Sequence, residues 1–218
     1  MNEQAIAEDI AEDAILTRLL ELHRDFIERC YSLLIHIQGR LDRHYNYRSV
    51  QWTGAARNGS GGGLQSTDWI QTYLGLPFVA KSIPSAKKMY PNNTSSVVTN
   101  IPEGGLEVLL FQVRWLDKAL GKPPVMWGVA AHASIEPYRP VEFEPYYYNV
   151  FSKLEAQHPP DVDGTPGTIE PVVSKPGKYP PLTLRGTYIE VPLASLRSES
   201  DVDRLLLNPS IQLSSVGL

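Results

Sequence analysis

The sequence predicts an α+β protein: a long N-terminal amphipathic helix followed by a small, mainly antiparallel sheet with flanking helices. Three observations indicate this fold class. Apolar residues recur every three or four positions from Leu16 to Leu41, which is the period of one face of a helix. The segments 106–115 and 125–135 are largely apolar on both faces, as buried strands are, and the short link between them favours an antiparallel pair. A further segment, 182–193, contains the alternation of a half-buried strand.

The predicted N-terminal helix covers residues 5–43. Acidic residues crowd its first turns and arginines its last, an arrangement that suits the helix dipole. Its apolar stripe consists of Leu16, Leu19, Leu20, His23, Phe26, Ile27, Cys30, Leu33, Leu34, Ile37 and Leu41. Because this stripe is wide, we expect the helix to lie on a core, and pairing with a second copy of the chain is the alternative. We expect residues 1–50 to form an N-terminal helical segment and residues 51–218 an α+β domain, the two making one compact unit.

The segment between this helix and the first long strand contains signals for short elements. Glycines make residues 54–67 a loop. A short helix is predicted over 68–74, because Ser and Thr residues precede it as N-caps and a glycine and a proline follow it. We expect a short strand over 78–83.

The second half of the chain contains one long proline-rich segment. Seven prolines and three glycines lie within residues 159–181, which predicts a loop without regular structure. Ser198 is predicted to cap a last helix that ends at Asn208 and Pro209. In the strand 125–135, small residues such as Gly128 should allow a neighbouring element to approach closely.

The composition is that of a folded protein. Of 218 residues, 42% are hydrophobic and 20% are charged, which excludes a disordered chain. The single cysteine, Cys30, excludes an internal disulfide framework and a cysteine-rich zinc site. No apolar run approaches the roughly 18–20 residues that span a bilayer, and the N-terminus lacks the pattern of a secretory signal. We therefore expect a cytoplasmic protein that is not associated with a membrane.

Charge is unevenly distributed along the chain. The net charge is −4, which divides into −5 over residues 1–30, +5 over residues 31–100 and −4 over residues 101–218. A basic middle segment can bind an anion locally. The overall acidity excludes a protein that coats nucleic acid by bulk charge.

A basic, aromatic and glycine-rich segment, 38–63, is the first candidate site. Its predicted anion-binding residues are Arg40, Arg43, Tyr45, Tyr47, Arg48, Trp52 and Arg57. Guanidinium groups bind phosphate or carboxylate, aromatic rings stack on bases, and a glycine-rich backbone exposes N–H groups. The alternative is that these arginines pair with acids of the same chain and that the rings anchor the loop to the core. The glycines form neither a Walker motif nor a dinucleotide fingerprint.

A second candidate site is a metal centre built on His132. Glu136 lies four residues after His132, either on the same predicted strand or just past its end. Glu142 and Glu144 follow. A histidine and two carboxylates can hold a divalent ion for hydrolysis. A structural histidine, buried or hydrogen-bonded, is the alternative, because the spacing is not that of a known metal motif.

A third feature is a group of aromatic residues near position 145. It consists of Tyr138, Phe143, Tyr146, Tyr147, Tyr148 and Phe151. Such a group is typical of a protein-contact surface, and equally of a helix packed on a sheet.

The sequence contains no recognisable reactive constellation. The hypothesis it favours is a non-enzymatic accessory or binding protein without a cofactor. The N-terminal helix and the tyrosine-rich segment would contact a partner protein, and the arginines would bind nucleic acid or another phosphate-bearing ligand. Two alternatives stay open: a metal-dependent hydrolase or nuclease that uses His132 with nearby glutamates, and a structural homodimer formed through the N-terminal helix.

Overall fold

A computed structural model describes residues 3–50, 73–89, 95–114, 123–143, 146, 166–174 and 177–215. The strands are β1 (Tyr47–Ser49), β2 (Tyr73–Ala80), β3 (Ser85–Met89), β4 (Ser95–Thr99), β5 (Leu106–Arg114), β6 (Val125–Ile135), β7 (Gly167–Ser174) and β8 (Leu182–Pro192). The helices are α1 (Glu3–His44), α2 (Glu199–Val202) and α3 (Asn208–Ser215), with a π-helical turn, Asp203–Leu207, between the last two. A short 3-10 turn, Leu193–Ser195, follows β8.

The strands form one six-stranded sheet and one separate hairpin. The order in the large sheet is β1-β2-β5-β6-β8-β7, and every neighbouring pair is antiparallel. Strands β3 and β4 form the hairpin. A long N-terminal helix followed by a mainly antiparallel sheet is the predicted α+β class, which is confirmed.

Apolar side chains cover both faces of the large sheet. On one side, which we call the helix face, the core consists of Cys30, Leu34, Ile37, Leu41, Leu76, Phe78, Leu109, Phe111, Val113, Met126, Ala130, Ile189, Val191, Leu193, Leu196, Val202, Leu206 and Leu207. On the other side, the loop face, it consists of Val50, Val79, Ile101, Leu106, Val108, Leu110, Val125, Trp127, Val129, Ala131, Ala133, Ile135, Phe143, Tyr146, Ile169, Leu182 and Leu184. Strands β5 and β6 lie at the centre of the sheet, which explains why their sequences are apolar in both alternating positions.

Strand β2 begins where the sequence predicts the end of a helix. The predicted helix over 68–74 is wrong at Tyr73 and Leu74, which pair with Arg114 and Val113 of β5; residues 68–72 lie outside the described part. The pairing with β5 overrides the local helix signals, because each paired residue satisfies its backbone groups in the sheet. Pro77 lies within the strand, and its carbonyl oxygen accepts a hydrogen bond from the N–H group of Val50.

Strand β7 lies inside the segment that was predicted to be an irregular loop. This prediction is wrong for Gly167–Ser174, which pair with β8 at the edge of the sheet. The register shifts between Ile169 and Val172, so Pro171 lies within an irregularity of the ladder. Proline is tolerated in a sheet at such positions, because an edge strand or a bulge does not require its missing N–H group.

The C-terminal helix begins as predicted but continues further. Ser198 forms a capping box with Asp201, which confirms the predicted start. The predicted end at Asn208 and Pro209 is wrong, because α3 begins there. A π-helical turn precedes it, in which the N–H group of Asn208 reaches back to the carbonyl of Asp203. Pro209 thus falls in the first turn of a new helix, where a missing N–H group costs little.

At Gly128, α3 and the turn before it approach the sheet closely. A Cβ atom at this position would collide with Ser210 Oγ and would lie 3.2 Å from Leu206 Cδ1. Ser210 is fully buried, and its hydroxyl donates a 2.7 Å hydrogen bond to the Leu206 carbonyl. The predicted close approach at Gly128 is confirmed.

We predict that Gly128→Ala lowers the free energy of unfolding by about 1–3 kcal/mol, because the added methyl group overpacks this contact. Gly104→Ala is the matched control, since a Cβ there would meet nothing within 4 Å. Urea denaturation of both variants measures the difference. Equal stabilities would show that α3 does not pack on Gly128 as described.

Candidate functional site

The N-terminal part of α1 lies outside the protein core. Every residue from 13 to 25 is exposed, and we call this segment the overhang. Five large apolar side chains within it are exposed to solvent: Ile15 (62%), Leu16 (56%), Leu19 (58%), Leu20 (61%) and Leu22 (49%). Isolated apolar residues on a surface are ordinary, but five within eight consecutive positions form a continuous patch.

The C-terminal part of α1 is packed on the helix face by the same stripe. Cys30, Leu34, Ile37 and Leu41 are fully or almost fully buried there. At 100° per residue, these four residues occupy an arc of about 60° around the helix. The five exposed side chains of the overhang span about 160°, centred on the same direction. One apolar stripe therefore runs along α1, and the sheet covers only its C-terminal half.

The other side of the overhang is polar and satisfied within the helix. Arg18 forms an ion pair with Glu21 at 3.2 Å, and Arg24 lies 3.2 Å from Asp25 and 3.9 Å from Glu28. These groups lie opposite the apolar stripe at 100° per residue. The overhang is thus an amphipathic helix. The charged groups on its polar side pair with one another, and its apolar side contacts solvent.

The packed half of α1 is held by groups from the C-terminal segment. Asp203 contacts two side chains of α1: His36 Nε2 lies 3.1 Å from Oδ1, and Arg40 Nε lies 3.1 Å from Oδ2. His36 Nδ1 is 3.5 Å from Glu199, and Arg29 donates a 3.1 Å hydrogen bond to the Leu196 carbonyl. These contacts fix the rotation of α1, and thereby the direction in which the overhang presents its apolar stripe.

Three predicted anion-binding residues lie on the helix-face side. Arg40 is bound to Asp203, as described above. The rings of Tyr45 and Tyr47 pack against the helix-face core. The Tyr45 hydroxyl donates to Asn208 Oδ1 at 2.8 Å, and the Tyr47 hydroxyl lies 3.5 Å from Ser214 Oγ. These contacts are the ones expected if the residues anchor α1 and β1 to the body of the protein.

The other predicted anion-binding residues do not join them. Arg43 folds back along α1 and donates to the Gly39 carbonyl at 3.2 Å. Arg48 follows Tyr47 in β1, so its side chain leaves the opposite face of the sheet, where it donates to Thr99 Oγ1 at 3.1 Å. Trp52 and Arg57 lie outside the described residues. The described arginines are therefore not brought together, and the anion site as a whole stays a prediction.

His132 lies beside a carboxylate that the sequence did not single out. Its Nδ1 atom is 2.6 Å from Glu107 Oε1, because Glu107 is its partner across β5 and β6. Glu136 is exposed and lies beyond the end of β6. Within the described part of the chain, no three His, Cys, Asp or Glu side chains are grouped as a metal site requires. Glu144 lies outside that part, and the metal centre stays a prediction.

The aromatic group is largely internal where it is described. Phe143 and Tyr146 are fully buried in the loop-face core, and the Tyr146 hydroxyl donates to the Pro180 carbonyl at 2.8 Å. Tyr138 is exposed. Tyr147, Tyr148 and Phe151 are not among the described residues. The described members thus pack the core more than they offer a contact surface.

A buried polar row crosses the loop face, and the sequence did not predict it. Gln112, Trp127 and Glu190 are neighbours across β5, β6 and β8, and all three are almost fully buried. Trp127 Nε1 donates to Glu190 at 2.5 Å, and the Arg114 guanidinium lies 4.3 Å from the centre of the Trp127 ring. The sequence does contain one indication of this row. Gln112 and Arg114 are two positions apart in an apolar strand, so both lie on the same face of the sheet.

In comparisons with protein-family models, with curated proteins and with solved structures, nothing matches this chain. Among the described residues, no helix combines the length and the apolar character needed to cross a membrane. The function is therefore inferred from the geometry of this chain.

The reactivity of the Cys30 thiol depends on whether the C-terminal half of α1 is packed on the core. Burial raises its pKa from 9.0 to about 12. A raised pKa disfavours the thiolate in the folded state, so this residue opposes folding only as the pH rises above 9. At pH 8 the thiol is neutral and inaccessible, which makes it unreactive.

We predict that a thiol reagent at pH 8 modifies Cys30 at least about 100-fold more slowly in the folded protein than in denaturant. A cysteine introduced by Thr17→Cys, exposed on the overhang of the same helix, should react rapidly in the same sample. Comparable rates for the two thiols would contradict the seating of α1 on the sheet.

Proposed function

We propose that this chain is a non-enzymatic accessory protein that assembles with another protein through the overhang of α1. The observation that supports this proposal is the apolar stripe of α1, which continues beyond the sheet with five large side chains in solvent. Exposed apolar patches rimmed by polar residues are typical of protein-binding surfaces. The ion pairs of the overhang make up its polar side, which bounds the apolar patch around the helix.

The exposed stripe offers a burial free energy of the same order as the cost of association. Burying the exposed part of one such side chain contributes on the order of 1 kcal/mol, so five contribute ~5 kcal/mol from this surface alone. A complementary apolar surface on the partner adds a similar amount. Association costs ~4–15 kcal/mol in lost translational and rotational freedom and in ordering of side chains. The five side chains together reach the scale of this cost, whereas a single exposed leucine would not.

The shape of the overhang indicates what kind of surface it binds. Its 13 residues, 13–25, form a straight rod of about 20 Å, at 1.5 Å per residue. Side chains spaced by three and four positions interdigitate with the matching rows of another helix. We therefore propose that the partner presents the apolar face of an amphipathic helix.

The two other functions suggested by the sequence draw less support from the described residues. Arg40 is neutralised by Asp203, and Arg48 leaves the opposite face of the sheet from Tyr45 and Tyr47, so these groups do not form one anion-binding surface. His132 is paired with Glu107. The exposed apolar stripe of the overhang therefore supports a function better than either of these two groups of residues does.

Photo-crosslinking tests the proposal directly. We predict that a photoreactive phenylalanine analogue at Leu22 forms an adduct in living cells, and that the crosslinked peptide, identified by mass spectrometry, comes from an apolar helix face. Leu20→Lys should abolish this adduct, because it places a charge within the apolar contact. Lysine forms helices nearly as well as leucine, so the overhang itself should remain helical.

Ile35→Lys is the matched control. Ile35 lies on the same helix and is similarly exposed (65%), but it belongs to the part of α1 that is seated on the sheet. The adduct should survive this substitution. No adduct at Leu22, or equal sensitivity to both substitutions, would refute binding through the overhang.

A further inference from the structure

We infer that the packed half of α1 is a built-in nucleus for the overhang. The overhang extends from this nucleus as a helix in equilibrium with unfolded chain, and binding of the partner completes the helix. This inference rests on the proposed function, and it adds how the exposed surface is regulated. The argument needs a fixed end from which the helix grows, an overhang that buries little surface, and a small free energy for each added residue.

The packed half supplies the fixed end. α1 is one continuous helix, and its residues Cys30, Leu34, Ile37 and Leu41 are buried against the sheet. Forming the first turn of an isolated helix is unfavourable by a factor of about 1,000, whereas a residue added to an existing helix requires no new turn. The helix of the overhang therefore grows from the packed half without this initial penalty.

The overhang buries little surface that would hold it helical. All of residues 13–25 are exposed. The ion pairs of Arg18 and Arg24 join residues of α1 itself, and in each pair the arginine precedes the acid along the chain. This is the weaker order in a helix, because it opposes the helix dipole. The ion pairs therefore add little to the stability of the overhang.

The composition of the overhang brings helix and coil close in free energy. Of residues 13–25, eight are strong helix formers (alanine, leucine, arginine and glutamate) and five are weaker ones (aspartate, isoleucine, threonine and histidine). Adding a good helix former to a helix is favourable by a factor of only about 1–1.6, and for weaker residues the factor falls below 1. The helical fraction should therefore decrease from residue 25 toward residue 13.

A partner that binds the apolar stripe shifts this equilibrium. The side chains of the stripe lie on one side only when the overhang is helical, so the partner binds the helical form preferentially. Its apparent affinity then depends on the fraction of molecules in which the overhang is already helical. Any change that separates the overhang from its nucleus should therefore weaken binding, even where the stripe itself is intact.

Two proline variants test this mechanism. Asp25→Pro interrupts α1 between the overhang and the packed half, and Asp13→Pro is the matched control at the far end of the overhang. Both aspartates are exposed. In Asp25→Pro the packed half then begins at a proline, which is tolerated in the first turn of a helix.

Cα chemical shifts of the purified protein measure the helical fraction of each residue. In the unmodified protein we expect this fraction to decrease from residue 25 to residue 13. Asp25→Pro should lower it at least about threefold over residues 13–24, because these residues lose their nucleus. Asp13→Pro should leave residues 17–25 unchanged. A helical fraction that Asp25→Pro does not lower would overturn the inference.

The photoreactive analogue at Leu22 reports binding in cells for the same variants. Asp25→Pro should reduce the adduct at least about threefold, and Asp13→Pro should retain it. An adduct that survives Asp25→Pro would overturn the coupling of folding to binding but leave the proposed function standing. No adduct in the unmodified protein would refute the proposed function, whatever the chemical shifts show.

Discussion

The apolar stripe of α1 is the feature on which the architecture depends. Its C-terminal half encloses the helix face of the sheet through Cys30, Leu34, Ile37 and Leu41. The contacts of Asp203 with His36 and Arg40 fix how the helix is rotated about its own axis. Because α1 is one continuous helix, that rotation also sets the direction of the overhang's stripe when the overhang is helical. The same contacts therefore determine both how α1 packs on the core and which way its exposed stripe points.

Sequence patterns predicted those elements whose packing is uniform along their length. Strands β5 and β6 are central and covered on both faces, so their apolar runs identify them. Elements that depend on a partner far away in the chain were missed. Tyr73 and Leu74 are extended because β5 pairs with them, and Pro171 is tolerated because β7 lies at an edge. Such pairings leave little trace in the local sequence.

The candidate sites show the same limit. Arg40, Arg43 and Arg48 are close in sequence, but α1 ends and β1 begins between them, and Arg48 leaves the other face of the sheet from Tyr47. The whole apolar stripe of α1, including Leu16 and Leu20, is visible in the sequence. The sequence does not indicate which part of this stripe the sheet covers. The fold determines which residues of the stripe are buried in the core and which are exposed to solvent.

Amide hydrogen exchange along α1 tests this division most directly. Residues 30–41 lie on the core, so their amides should exchange slowly at every protein concentration. Residues 13–25 are all exposed, and a helical segment of this length is marginally stable in water without further packing. Their amides should exchange rapidly in the isolated protein. Protection of residues 13–25 equal to that of residues 30–41 would contradict the account.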